Sequence, residues 1–405
     1  MTDTLAPIRA WLVEAGLEGL DPRALLRAYC ERLAAAGFPL SRGHMSGSTL
    51  HPQLRAYAAT WELGRLVDVT DFPHADQERE SWLRSPLHHM LTTGTARLHR
   101  RLAGDGAVLD FPILAEMRDA GHTEWLAVRY AFGAATDLNA GGQLGVILTW
   151  ATAQAGGWTP SQLAAIEDLS ALLALAAKGS FGITTTRDLL VTYLGADAAE
   201  RVIRGSVRRG VAVRVEATIL YADLRGFTRF ADTTEPDTVA HRLDASLDAM
   251  GAPVEEHGGQ ILKFLGDGLL AVFLPGAAGE DAARCARALA AARAIHERVA
   301  ALNRAALDAG EAQLPVDIAL HEGQVLYGNV GTAMRLDFTV IGPAVNEAVR
   351  LEGLCQQLGT SLVISESFRR SAGPAGDGLI PLGRHALRGV GRPQEVFGVA
   401  LGDRS

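Results

Sequence analysis

The spacing of apolar and polar positions changes several times along the chain, and each change marks an element. Residues 21–36 place apolar side chains at helical spacing. Asp21 can cap that helix, Pro22 suits its first turn and Gly37 ends it. Strand-like stretches follow at 39–50 and 54–63, and residues 84–102 read as a helix with Pro86 near its start. Segments 124–133 and 142–152 alternate or run apolar, as paired strands do. Residues 156–179 predict a helix capped by Thr159, followed by Pro160 and stopped by Gly179. The first 180 residues thus predict an α+β or α/β domain.

Residues 184–210 differ in texture. Arg201, Arg204, Arg208 and Arg209 sit among apolar residues at helical spacing, which predicts a helical connector packing between domains. From 211 onward a strand breaks at Asp223, a helix covers 237–258, and 260–274 reads as two strands joined at Gly266-Asp267-Gly268. A long helix at 280–310 stopped by Gly310 and two further strands within 314–331 complete the order β-α-β-β-α-β. That order builds a split βαβ sandwich, an antiparallel sheet with two helices on one face.

Composition narrows the picture. A length of 405 residues predicts two or three domains, and 48% apolar with 21% charged residues is an ordinary globular balance. A net charge of −8 argues against a general nucleic-acid binder, which needs a basic face. Cys30, Cys285 and Cys355 are odd in number and far apart, so no disulfide framework or zinc spacing is legible. No apolar run approaches the ~18–20 residues of a membrane span. The first residues lack the basic-then-apolar pattern of a signal peptide. The expectation is a cytoplasmic protein without membrane or nucleic-acid partners.

Candidate chemistry lies in the second half. Asp223 ends the first strand there, and Asp267 occupies the turn of the central hairpin. In a β-α-β-β-α-β sheet these places are neighbours. Converging carboxylates repel unless a cation lies between them, and hard oxygen ligands suit Mg²⁺ or Mn²⁺. Two ions about 3.5–4 Å apart would serve an in-line attack at phosphorus. Lys263, one of two lysines in the chain, precedes Asp267 by four residues.

The stretches "DLRGFT" (223–228), "KFLGDGLLAVF" (263–273) and "DFTVIGPAVNEAVRLE" (337–352) resemble, in order and spacing, the signatures of class III nucleotidyl cyclases. The resemblance covers about 211 to the end. Diguanylate cyclases share the sheet, but their Gly-Gly-Asp/Glu-Glu-Phe hairpin is absent. No histidine-aspartate cluster or Gly-rich phosphate loop supports a phosphodiesterase or kinase.

The resemblance implies roles. Asp223, Asp267 and the carbonyl of Leu224 would bind two Mg²⁺ or Mn²⁺ ions per site. Lys263 and Thr339 would read the purine. A lysine ammonium donates to adenine N1 and clashes with the protonated N1 of guanine, so the implied substrate is ATP, converted to 3′,5′-cyclic AMP and pyrophosphate. Threonine at 339 departs from the aspartate of many members and resembles a subclass of which some respond to bicarbonate. Asn346 and Arg350, spaced i, i+4 on one helix face, would orient the ribose and stabilise charge on the transferring phosphorus. Arg388 or Arg392 would meet the terminal phosphates where the family commonly has lysine. Val349 replaces a small residue often found before the arginine. The family's sites are composite. The implied division sets the aspartates and Lys263 on one subunit and Asn346 and Arg350 on the other, in a head-to-tail homodimer.

By its element order and long terminal helix, the first half resembles a GAF-like sensor. The domain reading is therefore a GAF-like sensor over 1–180 with an unspecified small-molecule ligand, a connector over 181–210 and a catalytic domain over 211–405. A purely structural dimerisation module is the alternative for the first half, and a catalytically inactive nucleotide-binding module for the whole. His74, His88, His89, His99 and His122 show no ligand spacing for haem or metal.

Overall fold

A computed structural model describes residues 4–49, 51, 54–62, 65–73, 79–132, 144–275, 281–332 and 334–399. It divides the chain into compact units at Met1–Thr192 and Tyr193–Ser405.

The first unit opens with α1 (Ala6–Glu18) and α2 (Pro22–Ala35), the latter capped by the Asp21 carboxylate, which accepts from the backbone N–H of Arg23 and Ala24. Strands β1 (Arg42–Ser48), β2 (Leu54–Glu62) and β3 (Arg65–Pro73) follow, then the short helices α3 (Glu80–Leu83) and α4 (Pro86–Thr93). Next come β4 (Arg97–Arg101), α5 (Pro112–Asp119), β5 (Glu124–Ala131), β6 (Gly145–Thr152) and α6 (Pro160–Leu194). The six strands form one sheet in the order β3-β2-β1-β6-β5-β4, every pair antiparallel. One face packs on α1, α2 and α6 around Leu26, Met45, Trp150 and Leu173. The other packs on α4 and α5 around Met90, Leu114 and Trp125.

Two expectations fail here, both over glycine or its neighbours. The helix expected across 84–102 is α4 followed by β4. Gly94 takes φ 72° and ends the helix, and the arginine-rich residues after it form an edge strand. Conversely, α6 does not stop at Gly179 but runs on to Leu194. Its N-terminus is a capping box, with Thr159 Oγ1 accepting from Gln162 N–H and the Gln162 side chain accepting from Thr159 N–H. Gly179 sits where α1 crosses, and a Cβ there would lie 3.2 Å from the Gly16 carbonyl oxygen. The glycine permits close helix approach instead of breaking the helix. Of the histidines, His74 lies outside the described residues. His99 meets Glu124, and His122 bridges Ser41 and Glu62.

The second unit contains α7 (Ala196–Ile203), β7 (Ala212–Leu224), α8 (Phe227–Thr233), α9 (Pro236–Glu256), β8 (Gln260–Leu265), β9 (Gly268–Phe273), α10 (Asp281–Asp308), β10 (Val316–Gly331), β11 (Leu336–Ile341) and α11 (Pro343–Glu352). It closes with α12 (Leu354–Leu358), β12 (Leu362–Ser365), α13 (Glu366–Ser371), β13 (Leu379–His385) and β14 (Gln394–Val399). The sheet order is β13-β14-β12-β10-β7-β9-β8, with β11 on β10. The strands β10-β7-β9-β8 at one end of the sheet are the split βαβ arrangement, each antiparallel to its neighbour, with α9 and α10 on one face. The opposite face buries Ile219, Leu270, Tyr327 and Phe338 beneath α11. The two strands expected in 314–331 are one 16-residue strand. Gly323 is no turn. A Cβ there would lie 2.7 Å from the Ala344 Cβ, so glycine lets α11 lie close on β10. Within the connector, Arg201 pairs with Asp197 and Arg204 with Glu200 along α7, whose Ala198 belongs to the same core as Tyr327.

Candidate active site

Strand alternation places the carboxylates. On β7, Leu220, Ala222 and Leu224 face α9 and α10, so Tyr221 and Asp223 face the other way, toward α11. The hairpin from β8 to β9 pairs Leu265 with Gly268 across the Gly266-Asp267 turn. Because β9 lies beside β7, this turn comes next to Asp223. Gly268 makes the approach, since a Cβ there would lie 2.7 Å from Asp223 Oδ1. Leu224 turns its side chain into the core, leaving only backbone for the site.

Further acids gather here that the sequence reading did not single out. Asp317 on β10 stands directly across from Asp223 and is buried. Arg225 binds it through Nε at 2.9 Å and through a second, terminal nitrogen. Glu352, the last residue of α11, completes the cluster. Burial, then the charges of Asp267 and Asp317, push the Asp223 carboxyl up to about 6. Burial, then Asp223 and Asp317, push Glu352 up to about 7. Asp267 is raised by burial, and Tyr221 is pushed up to about 12 by burial and the same carboxylates. The signal available in the sequence was Asp317 itself, an acid inside the apolar run "LPVDIAL".

These residues fit a divalent cation. Asp223 and Asp267 are hard oxygen donors whose charged forms are disfavoured together, and Arg225, which follows β7, is engaged by Asp317. Among the described residues no three His, Cys, Asp or Glu side chains form a metal-holding set. Remaining positions would fall to backbone, water and ligand oxygens.

The sign of the pH dependence follows. Because the folded values of Asp223 and Glu352 lie above the ordinary carboxylate range, the metal-free chain gains stability from this cluster as pH falls from about 7 toward the ordinary carboxylate values of ~4, and loses it as pH rises back through that interval. A cation needs the deprotonated forms. Stabilisation by Mn²⁺ should therefore grow across that window with rising pH and vanish in Asp267→Asn. The unfolding midpoint with and without Mn²⁺ at several pH values measures it.

Lys263 reaches its place through a bulge. Ile261 pairs with Ala271 and Lys263 with Leu270, so one extra residue enters β8 between them. Regular alternation would leave Lys263 with Ile261 on the face of α9. The bulge turns it to the Leu270 face, where β11 lies. There Lys263 Nζ donates to Asp337 Oδ2 at 2.7 Å, and this hydrogen bond holds the Asp337 carboxyl below its usual range. Thr339, two residues on and on the same side of β11, is buried. Asp337 was missed because only the folded strand brings it to Lys263.

Asn346 and Arg350 lie on one stripe of α11. Glu352, which bears on the carboxylate cluster, is two residues from Arg350 and so about 200° around the helix. The stripe is turned away from the aspartates of its own chain. Arg350 lies instead against the loop between β13 and β14. A Cβ at Gly389 would be 3.5 Å from both its terminal nitrogens. Arg388 flanks that glycine, and Arg392 belongs to the same loop. Asn346, Arg388 and Arg392 are exposed, and none of these arginines has an ion pair among the described residues.

Residues 213–371 match the sequence profile of the adenylate and guanylate cyclase catalytic domain. An adenylate cyclase of Anabaena cylindrica is 36% identical over 170 residues, which are 41% of this chain and 32% of that protein. Adenylate cyclase 1 of Rhizobium meliloti is 30% identical over 211 residues, 49% of this chain and 30% of that protein. The chain thus spans about a third of the length of these curated relatives. The adenylyl cyclase CyaB from P. aeruginosa has a solved structure 24% identical, with TM-score 0.43, covering 48% of this chain and 98% of that one. The guanylyl cyclase Cya2 is 29% identical with TM-score 0.41, covering 47% and 93%. No helix of the described residues is long and apolar enough to cross a membrane.

Proposed function

Since its C-terminal half carries an adenylate and guanylate cyclase catalytic domain, we propose that this chain converts ATP to 3′,5′-cyclic AMP and pyrophosphate in a homodimer with two composite sites. The observation that carries the reading is the convergence of Asp223 and Asp267 over Gly268. Asp223, Asp267 and the Leu224 carbonyl would hold two Mg²⁺ or Mn²⁺ ions. Bound there, such ions would lower the pKa of the ribose 3′-hydroxyl and offset triphosphate charge.

The chain's own groups do the rest. The Lys263 ammonium has three donors. Asp337 takes one and fixes the side chain, leaving others for adenine N1. Thr339 accepts from the adenine amino group. Asn346 orients the ribose, Arg350 offers its planar fork to the charge growing on the α-phosphorus, and Arg388 or Arg392 meets the terminal phosphates. The two curated relatives are named adenylate cyclases, which agrees with this base reading.

Lys263 is assigned differently from the division that the resemblance implied. Its ion pair with Asp337 joins it to the continuous block β11–α11, which carries Thr339, Asn346 and Arg350. One subunit then supplies the aspartates, and its partner supplies this whole block together with Lys263.

The six-stranded sheet with helices on both faces supports the reading of the first unit as a GAF-like regulatory sensor. Product analysis tests the enzyme. With Mn²⁺ and either ATP or GTP, the full chain should form cyclic AMP from ATP at a rate at least about tenfold above cyclic GMP from GTP, a difference of ~1.4 kcal/mol. Equal rates would remove the Lys263/Thr339 reading, and nucleotide binding without product would favour the inactive module.

A further inference from the structure

Alternation along β1 splits its residues sharply. Gly43, Met45 and Gly47 are buried toward the helices, with a Cβ on Gly43 only 2.7 Å from Cys30 Sγ. Arg42, His44, Ser46 and Ser48 point to the opposite face, the one covered by α4 and α5. Within that row His44 meets Thr60 Oγ1 and Ser48 meets the Gly145 backbone, and the helical cover leaves a cleft of about 570 Å³, within the range of small-molecule sites. Arg42, His44 and Thr149 form its polar floor; Trp125, Met117 and Leu87 supply apolar wall.

Arg42 Nε is buried there without a hydrogen-bond partner. Its cross-strand neighbour Glu62 would be the natural counter-ion, but His122 Nε2 holds that carboxylate at 3.2 Å. Arg84, the other arginine of the cleft, is bound to Glu80, and Glu116 at the cleft is exposed. Among the described residues Arg42 has no ion pair. A guanidinium that lines an apolar-walled cleft without a counter-ion is costly, and a ligand carboxylate would pair with it. A single unpaired cation beside two acids disfavours a polyanion, and the Trp125–Met117 wall favours an apolar body.

We propose that the first unit binds a small organic monocarboxylate in this cleft, its carboxylate on Arg42 and its apolar body against Trp125 and Met117. This deepens the sensor reading by naming the ligand class, but binding itself stands apart from cyclase control. The test titrates the full chain with benzoate and hexanoate at constant ionic strength, with benzyl alcohol as neutral counterpart, following tryptophan fluorescence and the unfolding midpoint. Both acids should bind and raise the midpoint, benzyl alcohol should not, and Arg42→Met should weaken binding about tenfold to a hundredfold. Leu87→Trp, which fills the cleft and keeps Arg42, should also exclude the acids and guards against a misfolded Arg42 variant. Benzyl alcohol binding as well as benzoate, undiminished binding in Arg42→Met, or no response to either acid at millimolar concentration would overturn the proposal. Cyclic nucleotide formation in the same samples separates the two readings: binding without any change in rate keeps the site and removes the sensor role.

Discussion

Asp267→Ala should lower cyclic nucleotide formation by about 10²–10³-fold or more, the scale on which transition-state charge stabilisation is lost when a key group is removed, while leaving the fold at least as stable. Both halves of that expectation come from the same geometry. Asp267 occupies the turn between β8 and β9, half-buried but outside the apolar cores on either face of the sheet. Burial raises its proton affinity, and its charge in turn raises Asp223. Removing it relieves repulsion in the metal-free chain, so the unfolding midpoint above pH 7 should hold or rise. A structural residue would give the opposite pattern, with stability and activity falling together. Kinetics with ATP and Mn²⁺ beside thermal unfolding without metal separates them. A variant that is less stable yet keeps most of its activity would sink the metal-ligand role.

Local pattern carried much of the second unit. Most of the order from β7 to β10 was readable because its longer elements keep a clear period and several are followed by a glycine in a positive-φ turn, as β8 is by Gly266 and α10 by Gly310. Glycine misled where its missing side chain served packing. Gly179 and Gly323 stand inside a helix and a strand because another element approaches too closely for a Cβ. Such partners are distant in sequence, so no window around the glycine reveals them. The site divides the same way. Asp223, Asp267 and Lys263 were legible because their motifs are contiguous. Asp317, Glu352 and Asp337 enter only through register and packing: Asp317 faces Asp223 across β10, and the β8 bulge delivers Lys263 to Asp337. In the first unit, Arg42 and His44 attracted no notice in the sequence, since a polar row on a strand reads as a solvated face until helices are seen to cover it.

Subunit mixing carries the second large effect and decides how the composite site is divided. Asp267→Ala and Arg350→Ala should each be nearly inactive alone. Co-expressed, they should recover about a quarter of the wild-type rate, since random pairing makes about half the dimers mixed and each mixed dimer holds one intact site. The proposed division predicts this recovery, because Arg350, turned about 200° from Glu352 on α11, faces away from the aspartates of its own chain. Lys263→Glu discriminates further. If Lys263 travels with Asp337 and the β11–α11 block, mixing it with Asp267→Ala restores activity on ATP and mixing it with Arg350→Ala does not. The reverse outcome would return Lys263 to the metal-binding half, and the Lys263–Asp337 ion pair would then have to open before the base is read. Tagged co-expression with purification of the mixed dimers gives the answer directly, because the two divisions predict opposite recoveries from the same pair of mixtures.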